Sequence, residues 1–519
     1  MRIPGLSLDF QPLAGAVPAA LARVDSDAWN EAARVVHESG RKLVALWGAD
    51  NRDRDGTFMM FAAYAVDTGL ALIALPIPQD ATGQIPCYPA LSGMFPVAGR
   101  MERAVYDLLG IQASDAADQR PWLRHGAWPV GLFPLRYDFD ATQRFDNPQQ
   151  DYPFVRVAGE GVHEIPVGPI HAGIIEPGHF RFSIVGEKVL RLEERLGFTH
   201  KGIDKCFESF SIAEGGKLAS RVSGDSTVAY AWAYAQAAES LLAITPPPRA
   251  VWLRALMLER ERVANHLGDL GALGNDAALA FGLSQFMRIK EDWLRWAAAA
   301  LGHRFMMDCI VPGGVAYDLS SEAAEQLTRL AYDLEKEIET LRHIYDEHAG
   351  LQDRFLTTGR VTAQLAVRLG LTGLAARASG QTRDLRAAHP AAPYDELAVN
   401  VASQPGGDVA ARVAVRFDEL FESLRLIRLI VHKLPAGELC VALPHAQPGA
   451  FGIGWVEGWR GEVLVALEAG EGDMIRRGHA HDPSWQNWPI LEHAAMDNIV
   501  PDFPLINKSF NLSYSGQDS

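Results

Sequence analysis

Four short strings bring titratable or hydrogen-bonding side chains together. Residues 168–182 (GPIHAGIIEPGHFRF) carry His171, Glu176 and His179. A Gly/Pro-rich stretch of this kind reads either as a turn with solvated polar side chains or as a loop that carries those groups into a cleft. In a cleft, desolvation raises the pKa of Glu176 and suits it to passing protons. Residues 196–205 (LGFTHKGIDK) offer His200, Lys201 and Lys205 at a charged loop-to-helix junction. Residues 221–239 (RVSGDSTVAYAWAYAQAAE) set Arg221, Ser223, Asp225 and Ser226 ahead of an apolar helix, where Asp225 or Ser226 also serves as a plain N-cap. Residues 507–516 (NKSFNLSYSG) form a polar tail holding Ser513. The four cysteines, Cys87, Cys206, Cys309 and Cys440, form no CxxC pair. They read as reduced thiols in a cytosolic protein, not as a disulfide or metal framework. No GxGxxG string follows a strand, so nicotinamide is not expected to bind here.

These strings need a scaffold, and 519 residues provide for roughly two to four domains. A 48% hydrophobic, 22% charged composition excludes wholesale disorder. Lys+Arg 48 against Asp+Glu 64 leaves a net charge of −16, which argues against nucleic-acid binding through clustered Lys and Arg. The most apolar stretch, residues 58–78, is interrupted by Asp67 and Gly69, so no transmembrane segment is expected. The opening MRIPGLSLDF lacks the regions of a signal peptide. Apolar runs at 42–47, 58–66 and 70–77, with helices around 28 and 101–109, favour a small antiparallel sheet covered by helices. The aperiodic polar segment 139–152 reads as a boundary. Beyond it, residues 178–192 alternate as a hairpin turning at Gly186-Glu187. Spacings of three and four through Leu327, Leu330, Leu334, Ile338 and Leu341, and through Val413, Phe417, Leu420, Leu424 and Ile427, mark long bundle helices. Pro246, Pro247 and Pro248 separate two such helices.

In this order the strings resemble one family. The chain is similar to the large subunit of hydrogenase-4-type, formate-hydrogenlyase-like complexes. There a domain like a small peripheral-arm subunit of respiratory complex I is fused to a nickel-iron-hydrogenase-like subunit. The N-terminal resemblance rests on RMERAVYDLLGI (100–111) and PLRYDF (134–139). The C-terminal one rests on the 168–182 string, GFTHKGIDK (197–205), LERERVANHLGDLG (258–271), GHRFMMDCIVPGGV (302–315) and GDVAARVAVRFDEL (407–420). So many strings in sequence carry more than a lone short motif. The resemblance implies an α+β protein. Residues 1–140 would form a small α+β domain, 141–160 a linker, and 161–519 a mainly helical domain with a small antiparallel sheet. That last domain would be similar to the complex I quinone-site subunit and the nickel-iron hydrogenase large subunit.

The departures from the family pattern shape the functional expectation. Hydrogenases of the family hold nickel and iron with four thiolates, two in an RxCGxC string and two in a DPCxxC string. The matching positions here are Ser223, Ser226, Ser513 and Gly516. Serine does not ionise near neutral pH as a thiol does, so no metal ligands and no nickel-iron centre are expected. In the complex I relative the cavity holds a quinone headgroup with His and Tyr donors. Those positions fall at Ile175 and Phe198, leaving His171, His179 or Tyr230 as substitutes. Glu176 stands where hydrogenases have a proton-conducting glutamate. The arginine placed over the metal is sought at Arg476 or Arg477, upstream of the HDPS string 481–484. The implied site therefore comprises Glu176, His171, His200 and Arg221 as a proton relay, with Ser223, Asp225, Ser226 and Ser513 as a degenerate metal or quinone cavity. These residues are expected to converge.

With no cluster-binding cysteines of its own, the chain needs an iron-sulfur small subunit as electron partner. Antiporter-like and other membrane-arm subunits complete the implied assembly, held at the inner face of the cell membrane. The expected function is the large peripheral subunit of an ion-translocating, NADH dehydrogenase-like or hydrogenase-4-like oxidoreductase, binding a quinone-like acceptor or relaying protons. It would be enzymatic only as part of that complex. The alternative is a scaffold joining the small subunit to the membrane arm.

Overall fold

A computed structural model describes residues 3, 6–79, 84–146, 151–173 and 175–519. Lys42–Asn51, Thr57–Val66 and Gly69–Pro78 pair antiparallel in chain order. Ala19–Arg23 then joins Gly69–Pro78 in parallel, with Gln11–Pro12 at the edge. The expected antiparallel sheet is thus a mixed one, because a five-residue strand is too short to announce its direction in sequence. Gly69 makes the close passage possible. Its φ is +127°, and a Cβ there would lie 1.9 Å from the Pro18 carbonyl oxygen.

The three long runs are continuously apolar because both faces of the sheet are covered. Leu43, Met60, Tyr64 and Ile73 belong to the core shared with the helices Ser26–Glu38 and Ala98–Leu109. Trp47, Phe61, Ala63 and Leu72 belong to a second core with Ile453, Trp455 and Leu464. Trp47 stacks on Phe61 at 5.1 Å and on His479 at 5.0 Å, and Phe61 stacks on Phe451 at 5.6 Å. The N-terminal sheet therefore packs face to face on a sheet of the second unit. Each large side chain there contributes about 1.5–3 kcal/mol of apolar burial.

That second sheet, Phe451–Glu457, Glu462–Ala469 and Ile475–His481, is antiparallel and lies outside the sequence expectation. It rests against the buried helix Thr227–Leu242. At Gly452 and Gly454 a Cβ would come within 2.0 Å of the Ala237 carbonyl and 1.8 Å of the Ala233 carbonyl, so helix backbone lies directly on strand backbone. The helices Pro248–Asp276, Ala280–Leu301, Ser321–Glu347 and Val409–Lys433 complete the bundle. Pro248 sits in the first turn of its helix, where a missing amide costs nothing. The hairpin forms as His179–Val185 with Lys188–Arg195, turning at Gly186, and Val162–Val167 adds a third strand. Phe180 and Phe182 pack edge-on against Phe503, each at 4.9 Å.

Residues 147–150 of the expected linker lie outside the described residues. The chain that follows is tied down. The Tyr152 hydroxyl accepts from Arg103 at 2.7 Å, the Pro153 carbonyl accepts from Arg120 at 2.9 Å, and the Val155 amide donates to Glu193 at 2.8 Å. Arg120 and Arg195 both lie over the Tyr152 ring.

The 29-residue helix Pro248–Asp276 buries a charged face, and several groups on it tie neighbouring elements together. Glu259 pairs with Arg386 at 2.9 Å, and His266 bonds Glu419 at 2.8 Å. Arg262 donates to the carbonyls of Gly458 and Glu457 at 3.0 and 2.8 Å. Glu261 accepts the amides of Val228 and Ala229 at 2.6 and 3.2 Å, capping the neighbouring helix from outside. This one helix sets both the Ser223–Ser226 turn and the turn that carries Arg460.

Candidate active-site cavity

Four segments distant in sequence meet beside that helix. The Ser223–Ser226 turn enters the Thr227–Leu242 helix, and Ser513 caps the short helix Tyr514–Asp518 by accepting the Gly516 amide at 2.8 Å. The Ser223 and Ser513 hydroxyls lie 2.8 Å apart, and Ser223 donates to Asp225 Oδ1 at 2.9 Å. That direction leaves Ser513 to donate to Ser223. Ser223 and Ser513 are each 3% exposed, whereas the Asp225 carboxylate is partly open to the cavity. Arg460 clasps Asp225 with two bonds of 2.7 and 2.5 Å and reaches Ser226 Oγ at 3.3 Å. Burial opposes the Asp225 charge, but the Arg460 guanidinium and the Ser223 hydroxyl hold its carboxyl below the usual carboxylate range. Asp482 lies behind, accepting from the Tyr230 hydroxyl and the Ser484 amide, each at 2.8 Å. Burial pushes the Asp482 carboxyl up despite Arg460 and those donors.

In front of this wall lies a cavity of about 710 Å³, lined among others by Ile175, Glu176, Asn275, Lys508, Asn511 and Tyr514. Glu176 is exposed at its edge and accepts from the Ser515 amide and hydroxyl at 3.1 and 3.2 Å. The loop that carries Glu176 leaves its side chain open to solvent on the outer side. His200 does not line this cavity. It is half-buried and bonds through Nδ1 to the Asp518 carbonyl at 2.7 Å, clamping the C-terminal segment. Burial lowers its pKa. The Asp518 carboxylate accepts from Gly197 and Thr199, and burial pushes its pKa up to about 6.

Like His200, the other two expected relay residues besides Glu176 stand apart. The His171 ring folds back on its own loop, with Nε2 2.7 Å from the Gly178 carbonyl. Arg221 points outward into an exposed ion pair with Asp308 at 2.6 Å, since the tight turn at Ser220 directs its side chain away from Ser223. Arg476 and Arg477 are likewise elsewhere, paired with Asp53 and Glu208. The arginine at the cavity is Arg460, on the turn between the first two strands of the second sheet. Its string, GWRGE, holds a Trp-Arg pair at a glycine turn and is the one signal that could have found it. Glu261 was equally hidden inside a string that reads as a charged helix face. Burial pushes its pKa up to about 8. Ile175 and Phe198 line different spaces. Phe198 packs on His125 at 4.5 Å in a second cleft of about 700 Å³ with His179, Tyr152 and Arg195.

Comparison with known proteins bears on this arrangement. Residues 22–145 match the family described as the respiratory-chain NADH dehydrogenase 30 Kd subunit, and residues 276–451 the corresponding 49 Kd subunit. Formate hydrogenlyase subunit 5 of Escherichia coli is 30% identical over 93% of this chain and 85% of its own length. The chain belongs to that family. Hydrogenase-4 component G of Escherichia coli is 29% identical over 92% of this chain and 83% of its own length. A chain of the archaeal membrane-bound sulfane sulfur reductase, a respiratory membrane complex, shares the fold with a TM-score of 0.66. It is 23% identical, and the match covers 70% of this chain and all of that one. Among the described residues, no helix is long and apolar enough to cross a membrane.

Hydrogenase members imply a nickel-iron centre, and this donor set does not fit one. Three of the four thiolate positions are serines engaged with one another, with Asp225 and with Arg460. At the fourth, Gly516, a Cβ would lie 2.3 Å from Asp482 Oδ2. Neutral hydroxyls do not replace thiolates on a soft metal. Cys87, Cys206 and Cys440 are exposed, Cys309 is buried in the bundle core, and none lines the cavity.

Proposed function

We propose that the chain is the large peripheral subunit of a membrane-bound, ion-translocating oxidoreductase complex and works there without nickel and iron. An iron-sulfur small subunit carries the electrons, and membrane-arm subunits hold the assembly at the inner face of the membrane. The observation that carries this reading is the replacement of all four thiolates by Ser223, Ser226, Ser513 and Gly516, closed into one hydrogen-bonded wall with Asp225 and Arg460. The relatives' names, formate hydrogenlyase, hydrogenase-4 and a respiratory membrane complex, support the assembly.

Within that complex the cavity handles protons. Glu176 is its edge carboxylate, bonded to Ser515 beside the Ser513, Ser223 and Asp225 chain. Packing a small subunit over this open edge would supply the desolvation that a proton-passing carboxyl needs. Quinone reduction at this wall is less favoured, because Ile175 and Phe198 offer no donor and line separate spaces. Exchanging Glu176→Gln keeps the shape and removes the titration. Complex-dependent turnover or ion transport should fall while assembly with the small subunit survives. Unchanged turnover would overturn the proton role and leave the scaffold reading. One nickel per chain in the purified complex would overturn the metal-free reading.

A further inference from the structure

The cleft of about 700 Å³ that Phe198 borders shares no lining residue with the Ser223 cavity, and it gathers three arginines, Arg156, Arg181 and Arg195. Its floor is the outer face of the hairpin sheet. The register pairs Arg195 with His179 and Glu193 with Arg181, so Arg181 and Arg195 are diagonal neighbours on the face opposite Phe180 and Phe182. The Tyr152–Val155 segment forms a wall, already tied down by Arg103, Arg120 and Glu193. Rings of that wall orient the cations. Arg195 lies over Tyr152 at 4.3 Å, and Arg181 lies over Phe154 at 4.5 Å.

The charge on this face is not balanced. Arg195 is 4% exposed, and its Nη1 donates to the Pro121 and Trp122 carbonyls at 2.7 and 2.6 Å. Among the described residues no carboxylate pairs with it, and its Nε and Nη2 make no hydrogen bond. Burial pushes its pKa down to about 10. Arg156 is exposed and also has no ion pair among the described residues. Of the two acids on the cleft, Glu164 is held by Arg181 Nη1 at 3.0 Å, and Asp151 is exposed. Burial lowers the pKa of both histidines, that of His125 to about 4, so neither adds charge at neutral pH. A guanidinium so buried, with unused N–H groups on a cleft, is best satisfied by an anion.

We propose that this cleft is a phosphate-binding site. Arg195 presents Nε and Nη2 as a side-on fork, Arg181 adds the Nη2 that Glu164 and His179 leave unused, and Arg156 contributes a third positive charge. Planar forks engage two oxygens of a phosphate at once, which a lysine ammonium does not. The Tyr152, Phe154 and Phe198 rings give an apolar surface to the body that carries the phosphate. That body is a soluble phosphate ester or an anionic lipid, and the arginines meet the same chemistry in both. The site stands apart from the Ser223 cavity, so it does not depend on the metal-free reading.

Two probes test it on the full chain. Titration calorimetry with sodium pyrophosphate, in potassium chloride of matched ionic strength, should detect a single site. Arg195→Lys keeps the charge but not the fork and should weaken binding by on the order of tenfold, as loss of a charge-assisted hydrogen bond does. Should that variant not fold, Arg181→Ala serves, because Arg181 is only half-buried and should cost binding by a similar factor. Arg329→Ala, exposed on the helix Ser321–Glu347, removes the same charge elsewhere and should leave binding unchanged. Flotation with phosphatidylglycerol vesicles, set against phosphatidylcholine, identifies the source. Vesicle binding that Arg181→Ala abolishes assigns a lipid headgroup, and pyrophosphate binding without it assigns a soluble ester. Binding of neither probe, pyrophosphate affinity unchanged in Arg181→Ala, or an equal loss in Arg329→Ala would overturn the phosphate site.

Discussion

Replacing Gly516 with alanine tests the geometry of the wall most directly. Gly516 lies in the helix Tyr514–Asp518, and the new methyl would fall 2.3 Å from Asp482 Oδ2 and 2.5 Å from Cγ. Asp482 is 1% exposed and cannot swing aside freely, because the same Oδ2 accepts from Tyr230 and Oδ1 accepts from the Ser484 amide. Overpacking of this kind costs about 1–3 kcal/mol, and a buried donor left without its acceptor costs about 1–3 kcal/mol more. Part of the strain relaxes into the short helix, so about 2–4 kcal/mol is expected for Gly516→Ala. Asp482→Ala alone should also destabilise, by orphaning Tyr230 and Ser484. The double variant removes the two closest clashing atoms along with the carboxylate and leaves only the Cβ of residue 482, at 2.9 Å from the new methyl. The cycle of wild type, both singles and the double, followed by urea unfolding, should therefore show a favourable coupling of about 1–2 kcal/mol. Additive single effects, or a Gly516→Ala chain as stable as wild type, would refute the steric argument. A cysteine at position 516 meets the same obstacle, so four restored cysteines should not by themselves create a metal site.

Three further outcomes follow from the same structure. Burial raises the Glu261 pKa from the ordinary carboxylate range to about 8, so its contribution to stability is present at low pH and is lost as pH rises from about 4.5 through 8; Glu261→Gln should flatten the fall in urea midpoint over that window, and an unchanged slope would contradict it. Gly454→Ala should separate the Thr227–Leu242 helix from the strand it lies on, because the new Cβ would lie 1.8 Å from the Ala233 carbonyl; a destabilisation of about 3 kcal/mol or loss of soluble protein is expected, and a stable variant would show that the helix can shift. Limited proteolysis should cut within residues 139–146 before 151–155, since the latter are held by Arg103, Arg120 and Glu193; Tyr152→Ala should bring the two rates together.

The bundle helices were legible because Leu327 to Leu341 and Val413 to Ile427 keep strict three-and-four spacing, and the hairpin because Phe180, Phe182 and Ile184 alternate above a glycine turn. The second sheet was not legible. Its strand FGIGWVE places glycines where a helix backbone must touch, so the usual β-branched signal is missing. The intimate joining of the two units was hidden for a related reason. Runs such as FMMFAAYAV show that both faces are buried but not what buries them.

At the site, the positions of Ser223, Ser226 and Ser513 are legible in the family strings, whereas the Ser223–Ser513 bond and the Arg460–Ser226 bond follow from the fold. Neighbourhood in sequence was a poor guide to the rest. Arg221 adjoins the Ser223 turn and yet points away, while Arg460, more than two hundred residues distant, completes it. The difference is positional: Arg221 is the exposed residue between buried Ser220 and Val222 and pairs with Asp308 at the surface, where an ion pair contributes little. Arg460 sits on a turn fixed by Arg262, a member of the buried charged face of Pro248–Asp276. Removing one partner from such a buried network leaves the other charge uncompensated, at about 3–5 kcal/mol, whereas exchanging the thiolate positions for serine disturbs no charge of that scaffold. The ligand positions can therefore change while the supporting helix keeps its Glu, Arg, His and Asp residues, which is why the strings that carry the resemblance survive in a chain whose donor set no longer fits the metal.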